Sequence, residues 1–377
     1  MMRIGITGQD GFVGYHLYHT LFLDESVTLI PFERSFFEDM PRLESFVSQC
    51  DTIVHLAAMN RHENPEVIYE TNVNLVDSLI AACEAQDAKP HILFSSSSQE
   101  EKENHYGKSK LEGKKRFMEW AEHSGGRFTS LTIPNVFGPF GKPDYNSFVA
   151  TFCHKVANGE VPNIINDNEV GLIYVNELVQ VIINTIKGTD GGRKIGDNSF
   201  ERKIAPTYYK KVSEILDLLN RYREDYMGRG IFPGLEDPFE KALFNTFRCY
   251  VPEDYYPVKY TKHTDPRGSF VEIARTQTSG QFSFSATVPG ITRGNHFHTR
   301  KAERFAVIQG KALIQLRKIG TDQVINYELD GENPAYVDMP IWYTHNIKNT
   351  GQDTLITLFW INEPFDQQDP DTYFEEV

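Results

Sequence analysis

The sequence predicts a doubly wound parallel α/β sheet over residues 1–248, followed by an all-β barrel over residues 249–377. Three observations carry this expectation. Short apolar runs alternate with amphipathic stretches up to about residue 190, the pattern of a parallel sheet with helices on both faces. A glycine-rich turn, Thr7-Gly8-Gln9-Asp10-Gly11-Phe12-Val13-Gly14, joins the first apolar run to the first amphipathic stretch. From Asp265 onward, closely spaced β-rich runs are separated by Gly, Asp and Asn, as in a sandwich or barrel.

The elements follow in order. Strands are expected at 3–7, 27–31, 52–55, 91–94 and 129–133, with helices over 12–23, 65–84 and 105–121. Residues 145–247 read as a mostly helical cap that would complete a cleft, with short strands near 163–165 and 171–174 and a last helix over 235–247. Residues 249–260 hold two prolines and four tyrosines without a period, which marks a linker. Barrel strands are expected at 269–275, 281–288, 304–308, 312–319, 324–329, 336–338 and 354–360.

Composition narrows the function. A chain of 377 residues suits two domains at about 100–200 residues each. Net charge is −14, which argues against a nucleic-acid partner, because phosphate contact needs clustered Lys and Arg. A local site for a small anion remains possible. No apolar run approaches the roughly 20 residues that span a bilayer, and Met1–Gly8 leads straight into a strand pattern, so the expectation is a cytoplasmic protein with no membrane partner. Cys50, Cys83, Cys153 and Cys249 are scattered and read as free thiols rather than a disulfide framework.

Two constellations carry chemistry. In the first, Gly8, Gly11 and Gly14 allow a tight turn and close backbone approach to a pyrophosphate at the start of a helix, which Phe12 and Val13 open. The second strand ends in Pro31-Phe32-Glu33-Arg34-Ser35. A carboxylate there suits a ribose 2′-hydroxyl and an arginine a 2′-phosphate; Arg34 tips the expectation toward NADPH. Downstream, Phe94-Ser95-Ser96-Ser97-Ser98 is followed by Tyr106-Gly107-Lys108-Ser109-Lys110. Tyr106 and Lys110 share a helix face, and an ammonium beside a phenol favours the phenolate, so the pair suits proton transfer at a carbinol oxygen. In the second constellation, Gly290-x5-His296-x-His298-x4-Glu303-x6-Gly310 is followed by Pro340 and His345-x3-Asn349. Histidines two apart point the same way on a strand, and His296, His298, Glu303 and His345 suit one divalent Zn, Fe, Mn or Ni, with zinc the leading candidate.

The first constellation, with His55-Leu56-Ala57-Ala58, Asn72 and Pro134-Asn135-Val136-Phe137-Gly138-Pro139, resembles extended short-chain dehydrogenases acting on nucleotide sugars. That resemblance implies Ser97 as catalytic hydroxyl, Tyr106 as acid/base, and Lys110 as the residue that binds the nicotinamide ribose and lowers the tyrosine pKa. It places Gly8, Gly11, Phe12, Val13, Gly14, Arg34, Leu56, Ala57, Ala58, Asn72 and Lys110 at the cofactor. Arg61, Asn135, Asn146 and Ser147 fall on the substrate side. Only eight residues separate Ser97 from Tyr106, a shorter link than usual in that family, so the choice among Ser96, Ser97 and Ser98 stays open. The second constellation resembles a cupin, with one departure: Trp342 stands at the usual glycine position, and Trp342 and Tyr343 are expected to fill or gate the barrel.

The pairing resembles, over essentially the whole chain, bifunctional capsular-polysaccharide and O-antigen enzymes; Lys142-Pro143-Asp144-Tyr145-Asn146-Ser147 and Asp265-Pro266-Arg267-Gly268-Ser269-Phe270 belong to the resemblance. It implies that the cupin epimerises C3 of a UDP-4-keto-6-deoxy-HexNAc. The reductase domain would then reduce C4 with NADPH to UDP-2-acetamido-2,6-dideoxy-L-talose, on the way to UDP-N-acetyl-L-fucosamine. Lys301, Tyr343 and His263 are the candidate C3 bases. Homodimerisation is expected by analogy. The alternative is a reductase or epimerase whose cupin is a non-catalytic, metal-stabilised dimerisation module.

Overall fold

The computed structural model describes residues 1–101, 103–188, 192–260, 263–265, 268–270, 274–276, 281–363 and 366–377. The chain forms two compact units. One comprises Met1–Phe148 and Asp167–Val212, the other Val149–Asn166 and Ser213–Val377.

The first unit runs β1 (Met2–Thr7), α1 (Phe12–Phe22), β2 (Val27–Ile30), α2 (Met40–Gln49), β3 (Thr52–His55), α3 (Pro65–Ala85), β4 (His91–Ser97), α4 (His105–Ser124), β5 (Arg127–Ile133) and β6 (Asn135–Phe137). After the excursion that contains α5 (Phe148–Ala157) come β7 (Glu169–Tyr174), α6 (Val175–Ile186), β8 (Arg193–Lys194), β9 (Ser199–Lys203) and β10 (Tyr208–Lys211). The main sheet has the order β2-β1-β3-β4-β5-β9-β8 and is parallel except for β8. One face is covered by Leu43, Phe46, Val76, Leu79, Phe117 and Trp120 of α2, α3 and α4. The other is covered by Leu17, Leu21, Leu178 and Ile182 of α1 and α6. Strand order reverses between β1 and β3, and such a reversal opens a crevice at the strands' carboxyl ends.

Local chemistry sets the helix starts. The Asn104 side chain accepts from Gly107 N at 2.7 Å to cap α4, and Gly125 ends that helix at φ +77°. Asn64 caps α3 with Pro65 at its first position. The strand expected near 163–165 is not formed. The polar β9 gave no apolar signal and was missed, as was α2.

The second unit holds α7 (Val212–Tyr222), α8 (Pro238–Arg248) and the strands β11 (Ile231–Phe232), β12 (Val258–Lys259), β13 (His263–Asp265), β14 (Gly268–Phe270), β15 (Arg275–Thr276), β16 (Gln281–Thr287) and β17 (Thr292–Phe297). These continue as β18 (Glu303–Gln309), β19 (Lys311–Lys318), β20 (Val324–Asp330), β21 (Ala335–Met339), β22 (Tyr343–Asn349), β23 (Leu355–Ile361) and β24 (Tyr373–Phe374). Two five-stranded sheets, β12-β21-β18-β23-β16 and β20-β19-β22-β17-β24, form the barrel. Val307, Ile314, Leu316, Val337, Ile347 and Leu355 fill its core. The segment after Ser213, read from sequence as part of a cleft cap, is built into this unit: Phe232 packs on Trp360 with ring centroids 4.4 Å apart, and Arg248 donates to the Met339 carbonyl at 2.5 Å.

Cys50, Cys83 and Cys153 are buried free thiols, and Cys249 is a half-buried one. Among the described residues, no helix is long and apolar enough to cross a membrane.

Candidate active site and metal centre

The glycine turn lies at the carboxyl end of β1. Gly8 has φ +77°, and a Cβ there would stand 2.7 Å from Ala57 N. A Cβ on Gly14 would stand 2.1 Å from Gly8 O. Only glycine fits either position. Gly11 is the N-cap of α1 and supplies no side-chain cap, which leaves the first-turn N–H groups for a ligand. Phe12 and Val13 are half-buried at that helix start. Leu56, Ala57 and Ala58 form the adjoining turn after β3, held by Leu56 N donating to Thr7 O at 3.1 Å and by Thr7 Oγ1 lying 2.7 Å from His55 Nδ1. The Asn72 amide bridges this turn to α4: it accepts from Met59 N at 2.7 Å and donates to Met59 O and Ser109 Oγ, each at 3.0 Å. These bonds hold the turn against α4. Gln9 donates to Phe32 O at 2.8 Å, tying the glycine turn to the end of β2, where Arg34 is exposed.

Tyr106 and Lys110 share the inner face of α4. Lys110 Nζ sits 5.6 Å from the Tyr106 ring centroid and 4.8 Å from that of Phe94, and it donates to Ser95 Oγ at 3.4 Å. Ser95 in turn donates to the His55 carbonyl at 3.1 Å. The electrostatics run opposite to the expectation of a lowered tyrosine pKa. Burial, with Tyr145 adding to it, pushes the Tyr106 phenol up to about 12. Burial pulls Lys110 down to about 7, with Glu100 opposing. Desolvation penalises both charged forms more than either group helps the other across that separation. Tyr106 is therefore a neutral phenol at physiological pH, the form that can donate a proton. Burial, then Lys110, also pulls His55 down to about 3, so that imidazole is neutral.

The folded chain thus holds fewer protons at Lys110 than the unfolded chain between about pH 7 and the ordinary lysine value of 10.5. Stability from this group must rise with pH across that window and be lowest below it. We expect Lys110→Met to be more resistant to urea than the parent at pH 6, with the gap closing as pH approaches 10. Equal midpoints at pH 6 would show that the Lys110 ammonium is not destabilised by burial.

Strand alternation separates the serines. Ser95 and Ser97 lie on one face of β4 and Ser96 on the other. Ser96 donates to Glu100, which also bonds Lys114. Ser97 accepts from Gln99 N at 3.1 Å, and the exposed Ser98 opens a 3₁₀ turn. The contact between Ser95 and Lys110 was not anticipated; the period-2 geometry of the serine run was the available signal. Arg61 donates to Asp144 O at 3.1 Å and lies 6.0 Å from the Tyr145 ring, and Asn135 donates to Gly171 O at 3.3 Å. Asn146 is exposed and Ser147 half-buried on the segment after Tyr145.

In the second unit, His296, His298, Glu303 and His345 converge, with ligand atoms all within 4.8 Å of one another. A bulge at Asn295, in the left-handed region at φ +58°, sets His296 directly opposite His345 across β17 and β22. His298 Nδ1 donates to the Asp371 carbonyl, and His345 Nδ1 donates to the Tyr343 carbonyl at 3.2 Å. Carbonyls only accept, so both rings carry hydrogen on Nδ1 and turn Nε2 inward. Those Nε2 atoms stand 3.0 and 3.1 Å from Glu303 Oε2, yet none of the three atoms has an aligned hydrogen bond. A carboxylate wedged between two imidazole nitrogens takes either their second protons or a shared cation, and the donor set fits a divalent metal. Burial, with His345 adding to it, pulls His296 down to about 4, leaving it a neutral donor. Burial alone would raise Glu303, but contact with His298 and His345 holds it well below the usual carboxylate range.

Trp342 has φ +60°, the left-handed region that favours glycine, and its buried ring stacks on Phe297 with centroids 5.5 Å apart. Lys301 Nζ donates to Pro370 O at 2.7 Å, and Tyr343 is half-buried against the barrel core. The side chain of His263, with residues 266–267 of the Asp265–Phe270 motif, lies outside the described residues.

Comparison with known proteins decides the family. Residues 4–196 match the NAD dependent epimerase/dehydratase family, and residues 263–373 match the polysaccharide biosynthesis C-terminal domain. The chain belongs to the NAD dependent epimerase/dehydratase family. Across 99% of its length and 98% of the relative's, this family member is 34% identical to the UDP-2-acetamido-2,6-beta-L-arabino-hexul-4-ose reductase of Pseudomonas aeruginosa. The crystal structure of the capsular polysaccharide assembling protein CapF of Staphylococcus aureus covers all of both chains at 37% identity and a TM-score of 0.61. A structure of CapF with the inhibitor 3-isopropenyl-tropolone covers both chains at 35% identity and a TM-score of 0.58. The two-part resemblance read from the sequence, and its α/β-then-β fold, are therefore shown.

Proposed function

We propose that this chain is a bifunctional nucleotide-sugar enzyme. Its second unit inverts C3 of a UDP-4-keto-6-deoxy-HexNAc, and its first unit reduces the C4 ketone with NADPH, giving UDP-2-acetamido-2,6-dideoxy-L-talose for capsule or O-antigen. The observation that carries the reduction is the neutral Tyr106 phenol above Lys110, in the same unit as a glycine turn that a Cβ would close.

Gly8, Gly11, Phe12, Val13 and Gly14, with Leu56, Ala57 and Ala58 alongside and Arg34 for a 2′-phosphate, would hold NADPH, which when bound would supply the hydride. Tyr106 holds the proton destined for the C4 oxygen. Lys110, which titrates near neutrality, is suited to bind the nicotinamide ribose and to return a proton to the phenolate that Tyr106 becomes once it has given its own to the C4 oxygen. Ser97, on the strand face shared with Ser95, orients the ketone oxygen. Arg61, Asn135, Asn146 and Ser147 take the sugar nucleotide. In the second unit, His296, His298, Glu303 and His345 would hold the metal, whose charge, when bound, favours an ionised oxygen beside it. A 4-ketone acidifies the C3 proton, so inversion needs only a base, an acid and that stabilisation. Reduction removes the ketone, so inversion comes first.

The purified full chain, given the 4-keto sugar nucleotide, is expected to oxidise one NADPH per product, with C3 inverted and C4 reduced by NMR. A product reduced at C4 but unaltered at C3 would instead support a cupin that serves only metal-stabilised dimerisation.

A further inference from the structure

Asp371 lies outside the metal-ligand motif, on the segment that leads into β24. The residue is 2% exposed, and among the described residues no salt bridge reaches its carboxylate. Instead, one oxygen accepts from Thr299 N at 3.0 Å and Thr299 Oγ1 at 2.6 Å. The other accepts from Arg300 N at 3.0 Å and Lys301 N at 3.1 Å. A buried carboxylate is costly unless its lone pairs are filled in this way. The bonds fix the turn between His298 and Glu303. At the same time the Asp371 backbone carbonyl takes the His298 Nδ1 hydrogen. The residue reaches this arrangement in the left-handed region, at φ +41°, where its contacts must hold it. The segment then continues along the ligand-bearing strands. Phe374 pairs with His296, Glu375 N donates to Asn295 O at 3.0 Å, and Thr344, beside His345, donates to the Glu375 carbonyl.

We propose that Asp371 is a positioning residue of the metal centre, and that it couples docking of the 369–376 segment to metal affinity. Its carbonyl sets the His298 tautomer and ring angle; its carboxylate sets the spacing between His298 and Glu303. Metal binding and segment docking therefore strengthen each other, and by linkage they do so equally. The inference rests on the metal reading above. Outer partners of metal-bound histidines typically change affinity by about 10–100-fold when removed.

The test titrates Zn²⁺ into the full-length chain against a chromophoric chelator. Asp371→Ala is expected to raise the Zn²⁺ Kd by about 10–100-fold and to shrink the Tm difference between Zn²⁺-loaded and stripped protein. Arg300→Ala breaks the ion pair to Asp369 of the same segment and that to Glu363 but leaves Asp371 in place; being partly exposed, these should move Kd by less than about fivefold. A Kd for Asp371→Ala within threefold of the parent, or an equal loss in Arg300→Ala, would overturn the assignment. Hydrogen exchange on the parent chain serves even if Asp371→Ala fails to fold. The Glu375 amide should lose protection when Zn²⁺ is stripped, and unchanged protection would overturn the coupling. A parent chain that takes up no Zn²⁺ would sink the metal reading itself, whereas uptake with equal affinity in Asp371→Ala would sink only this inference.

Discussion

Replacing Tyr106 with Phe should lower NADPH oxidation on the 4-keto sugar nucleotide by about 10²–10⁴-fold, the range over which a positioned general acid acts. The ring of Phe keeps the packing of a side chain already mostly buried, so KM for NADPH should stay within a few-fold. The loss should therefore fall in kcat. The raised pKa sharpens the expectation. A phenol near 12 stays protonated through the physiological range, so the parent's kcat should hold at low pH and fall only as Lys110, near 7, loses its proton. In Tyr106→Phe that pH dependence should vanish with the rate. Residual turnover above a tenth of the parent would remove Tyr106 as the donor.

Asp338→Ala should destabilise the second unit by about 3–5 kcal/mol, the usual effect of removing one member of a buried ion pair. Arg304 and Asp338 face each other across β18 and β21, 2% and 0% exposed, with Nε–Oδ1 at 2.8 Å and Nη2–Oδ2 at 3.0 Å. Arg304 is sandwiched 3.7 Å from the Tyr336 ring centroid and 4.7 Å from that of Phe232. Tyr226 also donates to Asp338, and Tyr256 does so at 3.4 Å. Deleting the carboxylate therefore leaves a buried guanidinium without its counter-charge, with only the Gly230 carbonyl, among the described residues, left to accept from it, and leaves the Tyr226 and Tyr256 hydroxyls only each other. Urea unfolding should show the loss as a lower midpoint. The double replacement Arg304→Met with Asp338→Leu should recover most of it, since exchanging the whole pair for apolar groups is often neutral. A double variant as unstable as Asp338→Ala would place the energy in packing rather than in the stranded charge.

The same network shows what the sequence concealed. Arg304 follows Glu303, and alternation alone assigns them to opposite faces. Nothing in the pattern says that the outward face is buried, because its cover, from Tyr226 to Arg248, comes from a segment that reads as part of a cleft cap. The strands with clear apolar runs or alternation, such as β18, β19 and β20, were legible. β17 and β22 were not legible as runs: TRGNHF and YTHNIKN place His and Asn where core residues would show a period. They were recoverable only through the ligand motif, whose spacing brought His296, His298, Glu303 and His345 to one point. In the first unit, the glycine turn and the Tyr106–Lys110 pair were readable because their spacing is fixed by turn and helix geometry. The direction of the tyrosine pKa was not, since it depends on burial. Asp371 lies 68 residues after Glu303 in the chain, too far for any local pattern to link it to His298.

Proton exchange at C3 tests the central claim, that inversion at the second unit precedes reduction at the first. Tyr106→Phe, loaded with Zn²⁺, would be incubated in D₂O with the UDP-4-keto-6-deoxy-HexNAc and no NADPH, and the recovered sugar followed by NMR. Loss of the H3 signal to deuterium, absent when His345 is replaced by Ala, is the predicted result. An H3 signal that persists at full intensity in Tyr106→Phe would contradict the account.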